Sequence, residues 1–591
     1  MHSIARNLRP KHLRCECPRA RGAETAPRAR GFSLIDVIVG VALMLVLFLT
    51  LFGLLRASLT LSTLTKAKAT AVEIANTQIE YLRGISYDDV GTVGGIPAGT
   101  VPQYATPTVD GVMYTVHTFI EYYDDPADGL GTNDTNGVTT DYKIAVVTVS
   151  YTLYGLSKSV ELVSDFAPVG VETSTGGGLL SIHIVNAAGA DLAGASVHVV
   201  NSAISPSVDL TTLSNTAGMV TLNGALPSSE YQVYVSRTGY SSAQTYAHTA
   251  QNVNPTPGYL TTAKDQTTTA TFAIDQLATL TLKSFSLAAT SAFSDAFATA
   301  GNLSSQMNTQ VTSDGLTLAD TALFGTALSL PLSPSHLDGW GVLSAAVTAP
   351  AGTSAVVRVD DSTGTPLPDS VLPGNGAGFS SFPVSLTSLA TSSYPTLMLE
   401  ADFTRADLTA TSTIASWSLS HTSGPTPVPS VAFTLTGTKT IGTDPTGLPI
   451  YKTIVNDTTD TTGTKTETLE WDAYALALPS APLIEACPAA PIQLAPASAT
   501  TTMIITGTPT ANTLPVMVED NAGNAIGNAK VVLTASDYAA TVPASACGLA
   551  YFNGLAASSY TATVSAPGHT TTTLSGIPVS GQTATTTITL P

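Results

Sequence analysis

A single carboxylate interrupts a long apolar run near the start of the sequence. Residues 32–55 contain only one charged side chain, Asp36. An acid costs roughly 2.5–3.5 kcal/mol at the centre of a membrane helix on insertion scales, unless a cation lies beside it. The chemistry open to Asp36 is therefore charge pairing inside hydrocarbon. The alternative is a carboxylate that reaches the water from one turn inside the interface.

A second acidic group lies between two apolar alternating segments and has the composition of a metal site. Its carboxylates are those of Asp124, Asp125, Asp128, Asp134 and Asp141. Oxygen ligands in a glycine-containing loop suit Ca²⁺, the one cofactor that the sequence suggests. The spacing does not follow the EF-hand, and aspartate, asparagine and glycine are also ordinary residues of hairpin turns. A calcium site and a solvated loop both stay open.

Motifs of catalysis are absent from the sequence. None of the nine histidines is followed by glutamate, which excludes the HExxH zinc motif. There is no Gly-Lys pair for a phosphate-binding loop and no G-x-S-x-G nucleophile elbow. We therefore expect a protein that is not an enzyme. A glycosidase-type pair of carboxylates, which needs no local motif, is the alternative.

Charge divides the chain into a basic leader and an acidic remainder. Residues 1–31 carry a net charge of +6, so the rest of the chain carries −25, for a total of −19. An acidic exterior argues against nucleic-acid binding, which needs clustered lysine and arginine. It suits solubility outside the cell.

The apolar run is long enough to cross a membrane as a helix. The basic leader precedes it, so we expect a single-pass protein with a cytoplasmic N-terminus and its bulk outside. Residues 56–84 continue the helix, with an amphipathic stripe at Val72, Ala75, Ile79 and Leu82. No proline interrupts residues 32–83, and Gly84 is a natural C-cap. A continuous helix of about 78 Å is predicted.

The stretch "RGFSLIDVIVGVALM" resembles the signature of type IV prepilins. The resemblance implies that a prepilin peptidase cuts between Gly31 and Phe32 and methylates the new Phe32 amine. It also implies that the helix anchors the subunit in the cytoplasmic membrane and later joins the core of a surface filament with other pilin subunits. Asp36 would then pair with the Phe32 amine of a neighbouring subunit. The family usually has glutamate where this chain has Asp36.

Residues 85–170 read as a small antiparallel sheet, which with the helix gives the lollipop layout of pilins. The α+β lollipop is followed by a Gly-rich linker, 171–178, and by several all-β sandwiches. "NAAGADLAGASVHVV" matches "DNAGNAIGNAKVVLT", and each copy has a downstream tyrosine, Tyr231 or Tyr560. A fainter third copy contains "LEWDAYALAL". The pattern resembles the carboxypeptidase-regulatory-like, or transthyretin-like, sandwich over 179–275, 431–510 and 511–591. That family has no catalytic residues of its own.

Residues 276–421 differ from these repeats and suggest a jelly-roll-type sandwich, followed by a Pro-rich linker, 422–430. Such folds often bind glycans, so Trp340 and Trp417 are either stacking platforms or core residues. Cys15 and Cys17 lie in the leader, and Cys487 and Cys547 are the only cysteines beyond it. A pair in an exported chain indicates a disulfide. Two separate buried thiols are the alternative.

Together these features predict a minor type IV pilin or pseudopilin. About 420 residues lie beyond the pilin-like head, and so large a projection is hard to repeat on every subunit of a dense helix. We expect a tip or sparse position, with the sandwiches displayed for adhesion to a surface glycan or protein. The alternative is a membrane-anchored adhesin that does not polymerise.

Overall fold

The structure is a computed structural model that describes residues 34–127, 129, 138–169, 176–480 and 482–591. It divides into two compact units. Unit 1 takes the described residues of Met1–Ile85, Tyr104–Thr118 and Ala145–Ser164, and unit 2 takes Ser86–Gln103, Phe119–Ile144 and Asp165–Pro591.

Unit 1 is built on one helix, α1, Leu34–Gly84, which is unbroken over 51 residues. At 1.5 Å per residue it is about 76 Å long, so the predicted continuous helix is confirmed. Its second half buries Ala67, Ala71, Ala75, Ile79 and Leu82. These residues recur every three or four positions and therefore form one face of the helix.

A sheet follows the helix in the chain, after a 3₁₀ turn at Tyr87–Asp89. Its strands are β1 Tyr104–Ala105, β2 Thr108–Val109, β3 Val112–Tyr123, β4 Tyr142–Leu153 and β5 Leu156–Phe166. The order is β1-β3-β4-β5, and β2 also pairs with β3. In unit 1 the Tyr114 hydroxyl donates to the Ala67 carbonyl at 3.3 Å, which joins β3 to the buried face of α1.

The first sandwich of unit 2 consists of β6 Gly178–Val185, β7 Ser196–Asn201, β8 Val208–Leu213, β9 Met219–Ala225, β10 Ser228–Ser236, β11 Ala243–Gln244, β12 Leu260–Thr262 and β13 Thr267–Ala273. One sheet has the order β13-β6-β9, with β13 parallel to β6. The other has the order β11-β10-β7-β8, and β12 also pairs with β10. Alternating valine, leucine and isoleucine side chains fill the space between the sheets.

The last sandwich consists of β34 Thr513–Asp520, β35 Lys530–Ala535, β36 Tyr538–Pro543, β37 Leu549–Asn553, β38 Ser558–Ser565, β39 Thr572–Val579 and β40 Thr586–Leu590. Its sheets have the orders β37-β34-β40 and β36-β35-β38-β39, with β40 parallel to β34. This is the topology of the first sandwich, except that the single strand β39 stands where the first sandwich has the two short strands β11 and β12. The repeat seen in the sequence is therefore a repeat of one fold.

The second sandwich is discontinuous in the chain. Its first strand is β14 Ala278–Ser286, and its other strands are β25 Ala432–Gly437, β26 Thr440–Thr443, β27 Pro449–Tyr451, β28 Ile454–Thr458, β29 Thr464–Leu469, β30 Asp472–Ala477, β31 Leu483–Cys487, β32 Ile492–Leu494 and β33 Ala499–Thr506. The sheets have the orders β29-β14-β33-β31 and β28-β25-β30-β32, with β26 and β27 as a separate hairpin. β14 therefore lies at the centre of a sheet, between β29 and β33.

A fourth sandwich is inserted between the first two strands of the second. It consists of β15 Ala289–Asp295, β16 Leu303–Met307, β17 Thr309–Thr312, β18 Gly315–Leu318, β19 Phe324–Ser329, β20 Leu337–Thr348, β21 Thr353–Asp360, β22 Val384–Ser385, β23 Met398–Arg405 and β24 Thr413–Ser423. One sheet has the order β17-β18-β24-β20-β22, with β15 also on β24, and the other has the order β16-β19-β23-β21. We call this sandwich the insert.

The two ends of the insert meet where it leaves the second sandwich. The Ser286 amide donates to the Thr426 carbonyl at 2.8 Å, and the Val428 amide donates to the Ser284 carbonyl at 3.0 Å. Two expectations differ from this arrangement. The predicted jelly-roll range 276–421 includes β14, which belongs to the second sandwich, and the predicted Pro-rich linker 422–430 begins as strand and then pairs with the end of β14.

Candidate functional site

The first half of α1 is the candidate site for membrane anchoring and assembly. Its large apolar side chains are all exposed from Leu34 to Leu61, and residues 37–55 include no charged side chain. The Thr50 hydroxyl donates to the Leu47 carbonyl at 2.8 Å, so this polar group is satisfied within the helix. Among the described residues, this is the one helix long and apolar enough to cross a membrane.

The residues that the sequence singles out for processing lie at the edge of the described structure. Gly31 and Phe32 lie outside the described residues, and Asp36 lies in the first turn of α1. Acidic residues are favoured in the first turn because the helix dipole is positive there. The backbone position of Asp36 is therefore favourable for a carboxylate.

The acidic loop between β3 and β4 is described only in part. Asp128 and Asp134 lie outside the described residues. The Asp125 amide donates to Asp141 Oδ2, and the Ala127 amide donates to Asp125 Oδ1 at 3.0 Å. In the part of the chain that the structure describes, no group of three or more His, Cys, Asp or Glu residues could hold a metal ion. Calcium binding by this loop stays a prediction.

The insert places both candidate tryptophans in its core. Trp340 and Trp417 are buried, and the Trp417 ring packs edge-on against Phe297 with centroids 5.0 Å apart. The Trp340 Nε1–H donates to the Tyr394 carbonyl at 2.8 Å. The interpretation of these rings as exposed stacking platforms for a glycan is therefore wrong. Both residues belong to the core cluster between the two sheets of the insert.

A disulfide joins the second and last sandwiches. Cys487, at the end of β31, is bonded to Cys547, which precedes β37, and their Cα atoms lie 5.7 Å apart. Next to it the Ser545 hydroxyl donates to Glu485 Oε1 at 2.6 Å. Burial raises the pKa of Glu485, and the hydrogen bond from Ser545 opposes that rise. The two sandwiches are thus connected by a covalent bond and a hydrogen bond besides the chain itself.

The insert also packs against the last sandwich, through β20 and β36. A side chain at Gly339 would collide with Thr541, and one at Gly341 would collide with the Ala539 carbonyl. The Lys530 ammonium donates to the Thr387 carbonyl at 2.8 Å. Sequence reasoning missed this interface, although the "GWG" triplet in a strand was a signal of close backbone approach.

Residues within the predicted head range also contact the first sandwich. Ile96 belongs to the core of this sandwich. The Asp209 amide donates to the Gly94 carbonyl at 2.8 Å, and the Gln103 side chain bonds both the Asp209 carbonyl and the Thr211 amide. Residues within the predicted head range 85–170 therefore cover the edge strand β8, as expected for an edge that must not pair elsewhere.

One tyrosine recurs at the same place in each of the three repeated sandwiches. Tyr231, Tyr474 and Tyr560 are buried at the start of β10, β30 and β38. Each hydroxyl donates to a carbonyl four or five residues upstream, at 3.0–3.1 Å. Burial raises the pKa of Tyr231 to about 12. These tyrosines hold the turn before the strand, so their role is structural.

The insert contains a buried carboxylate, Asp360, at the end of β21. Its side chain is 1% exposed, and neither oxygen has a hydrogen-bond partner among the described residues. Burial, with a smaller contribution from Glu400, raises the pKa of Asp360 to about 7, although Arg358 opposes the shift. The pKa in the unfolded chain is about 3.9. The folded state therefore binds a proton that the unfolded chain has lost, and stability falls as the pH rises between about 4 and 7.

We expect Asp360→Asn to raise the free energy of unfolding at pH 8 by about 1–3 kcal/mol, because it removes a buried, unsatisfied charge. The gain should shrink as the pH falls to 5, where Asp360 is already protonated. Denaturant unfolding of the wild type and the variant between pH 5 and pH 8 measures this gain in the free energy of unfolding. Asp361→Asn is the matched control: its carboxylate accepts from Thr363 and Thr365, its pKa is lowered by those bonds, and no gain is expected. A pH-independent difference for Asp360→Asn would contradict the assignment.

The described residues thus comprise one candidate transmembrane helix and a large β-rich part with four sandwiches. Residues 513–591 match the family model of the carboxypeptidase regulatory-like domain, which confirms the prediction for the last sandwich. A search of curated protein sequences finds no match.

Among solved structures, the Bacillus anthracis TIE protein is 10% identical, with 83% of this chain and 73% of that chain covered and a TM-score of 0.16. BcpA, the major pilin subunit of Bacillus cereus, is 10% identical, with 70% of this chain and 99% of that chain covered and a TM-score of 0.14. The shaft pilin SpaA of Lactobacillus rhamnosus GG is 13% identical, with 28% of this chain and 89% of that chain covered and a TM-score of 0.12.

Proposed function

We propose that this protein is a minor subunit of a type IV pilus-like or pseudopilus-like filament, and that its role is assembly and display without catalysis. The observation that carries the proposal is the helix. Residues 37–55 of α1 are apolar, exposed and uncharged, and the second half of the helix has an alanine stripe that packs within unit 1. It begins two residues after Phe32 and contains Asp36 in its first turn, so the chain combines the residues of the processing signature with the element that would be assembled.

In this proposal a prepilin peptidase cleaves the Gly31–Phe32 bond and methylates the Phe32 amine. The helix then leaves the membrane for the filament core, where Asp36 of one subunit pairs with the Phe32 amine of another. Both charges would be costly in hydrocarbon if they were alone, and pairing offsets much of that cost. The helix dipole favours Asp36 at its first turn.

The sandwiches are the displayed part in this proposal. The second sandwich, the insert and the last sandwich are connected by the disulfide, by the Ser545–Glu485 bond and by the β20–β36 interface. Such connections suit a stiff projection that presents a surface for adhesion. The competing proposal is a membrane-anchored adhesin with the same sandwiches that never polymerises.

Asp36→Ala distinguishes the two proposals. We expect the variant to insert in the membrane like the wild type but to be lost from sheared filaments by about tenfold or more, because an unpaired buried ammonium costs several kcal/mol. Asp36→Glu is the matched control and should be incorporated normally, since it keeps the carboxylate. Immunoblots of the sheared and membrane fractions provide the measurement. Wild-type incorporation of Asp36→Ala would favour the anchored adhesin.

Mass spectrometry of the N-terminal peptide tests the processing step separately. Membranes from cells that contain a prepilin peptidase should yield a peptide that begins at N-methylated Phe32. A peptide that spans Arg30–Gly31–Phe32 intact would contradict the prepilin proposal and leave the membrane anchor.

A further inference from the structure

Three exposed apolar side chains cluster at one end of the sheet in unit 1. Met113 follows the turn between β2 and β3, and Tyr154 and Leu156 flank the turn between β4 and β5. They are 63%, 63% and 51% exposed. We call them the end cluster. Monomers rarely leave large apolar side chains together in water without a function.

Two contacts fix the end of the sheet at which this cluster lies. Arg83, in the last turn of α1, donates to the Ser164 hydroxyl near the end of β5 at 3.2 Å. Tyr114, near the start of β3, donates to the Ala67 carbonyl. Ala67 lies about 24 Å nearer the apolar half of the helix than Arg83. The turn that opens β5 therefore lies at the end facing the apolar half of α1.

The height of the Tyr154 turn along the helix follows from the same contacts. The Tyr114 and Tyr151 rings are 5.4 Å apart, so Tyr151 lies near the level of Ala67. Tyr154 is three residues further along the chain, about 10 Å at the rise of a strand. Leu61, the last of the exposed apolar leucines of the helix, is about 9 Å from Ala67 in the same direction. Tyr154 therefore lies near the level of Leu61.

That level corresponds to the surface of a bilayer. If the uncharged run that ends at Leu55 lies in hydrocarbon, Leu61 is about 9 Å above its boundary, and the headgroup layer is about 5–8 Å thick on each side. The end cluster thus lies at the outer edge of that layer. Tyrosine is enriched at this depth because its ring is amphipathic.

Charges at this end of unit 1 are mainly positive. Arg56 and Lys66 lie on α1, five residues before and after Leu61, and Lys158 lies on β5, two residues after Leu156. Asp110 is paired with Lys66 at 2.7 Å, with both side chains exposed. A net positive surface beside exposed apolar groups suits anionic phospholipid headgroups.

We propose that, while the subunit is anchored, the end cluster rests on the anionic headgroup layer of the membrane, with the neighbouring cations on lipid phosphates. This inference rests on the membrane anchoring in the proposed function, and it goes further because it assigns a lipid-contact surface to the folded part. Assembly would then require this surface to leave the lipid.

The test uses the full chain in vesicles of phosphatidylcholine and phosphatidylglycerol. One set of vesicles carries a nitroxide quencher on the lipid headgroup to report the end cluster, and a second set carries brominated acyl chains to report Leu49→Trp. Tyr154→Trp reports the end cluster. Val163→Trp is the matched control, since Val163 lies on β5, the strand that follows Tyr154, and is 57% exposed, but it is near the Arg83 end. The signal of the native tryptophans is subtracted with the unsubstituted protein.

We expect Tyr154→Trp to be quenched at least about twofold more than Val163→Trp, as interfacial depth predicts, and the excess to fall when phosphatidylglycerol is omitted. Leu156→Trp should behave like Tyr154→Trp and serves if the first variant misfolds. Equal quenching at Tyr154 and Val163 overturns the proposal. Leu49→Trp shows whether a negative result concerns the lipid contact or the membrane anchor. If Leu49→Trp is strongly quenched while Tyr154→Trp is not, the helix is in the membrane and the proposed lipid contact is wrong. If Leu49→Trp is unquenched, the membrane anchor itself is wrong.

Discussion

Replacing Leu280 or Leu282 by alanine is expected to lower the stability of the second sandwich, although in the sequence the insert separates both residues from its other strands. Each side chain is fully buried in the core that also contains Phe433, Leu435 and Tyr474. A buried Leu→Ala change costs about 2–5 kcal/mol. The sites lie two residues apart on the same central strand, so their effects will be coupled. Denaturant unfolding of residues 276–591, followed by hydrogen exchange of 432–506, measures the loss.

The control for this prediction lies on the same strand. Lys283 is exposed, and Lys283→Ala should change the stability by less than about 0.5 kcal/mol. Protection of the insert, 289–423, should change much less than protection of 432–506 in the leucine variants. If the insert loses protection instead, β14 belongs to it and the discontinuous second sandwich is wrong.

The discontinuity explains what the sequence could and could not indicate. The alternation of "ATLTLKSFS" marks β14 as a strand, and the tyrosine in "LEWDAYALAL" marks a third copy of the repeat. No local signal tells which sheet a strand joins when its neighbours lie more than 140 residues away in the sequence. The predicted jelly-roll range 276–421 therefore includes this strand, although its partners are β29 and β33.

The helix was predictable for the opposite reason. Its length, its apolar half and its buried stripe are local properties of Leu34–Gly84, and no distant contact is needed to read them. The burial of Trp340 and Trp417 is only partly predictable from the local sequence. Alternation indicates that a side chain faces one side of a sheet, but only the second sheet of the insert decides that this side is the core.

Removing the disulfide with the double variant Cys487→Ser/Cys547→Ser should destabilise the block formed by the second sandwich, the insert and the last sandwich. The bond closes a loop with a sequence separation of 60 residues. The chain-entropy model gives about 4 kcal/mol for a loop of that length. We expect the unfolding midpoint of residues 276–591 to fall accordingly, and the transition of the last sandwich to separate from that of its neighbours.

Reduction provides the matched control for this variant. A thiol reductant should lower the midpoint of the wild type to that of the double variant and leave the double variant unchanged. Glu485→Gln keeps an acceptor for the Ser545 hydroxyl and should cost far less than loss of the disulfide, because it alters one hydrogen bond and no chain connection. If reduction leaves the wild-type midpoint unchanged, the β20–β36 interface alone holds the last sandwich against the insert. In that case the disulfide contributes nothing measurable to the stability of the block formed by the second sandwich, the insert and the last sandwich.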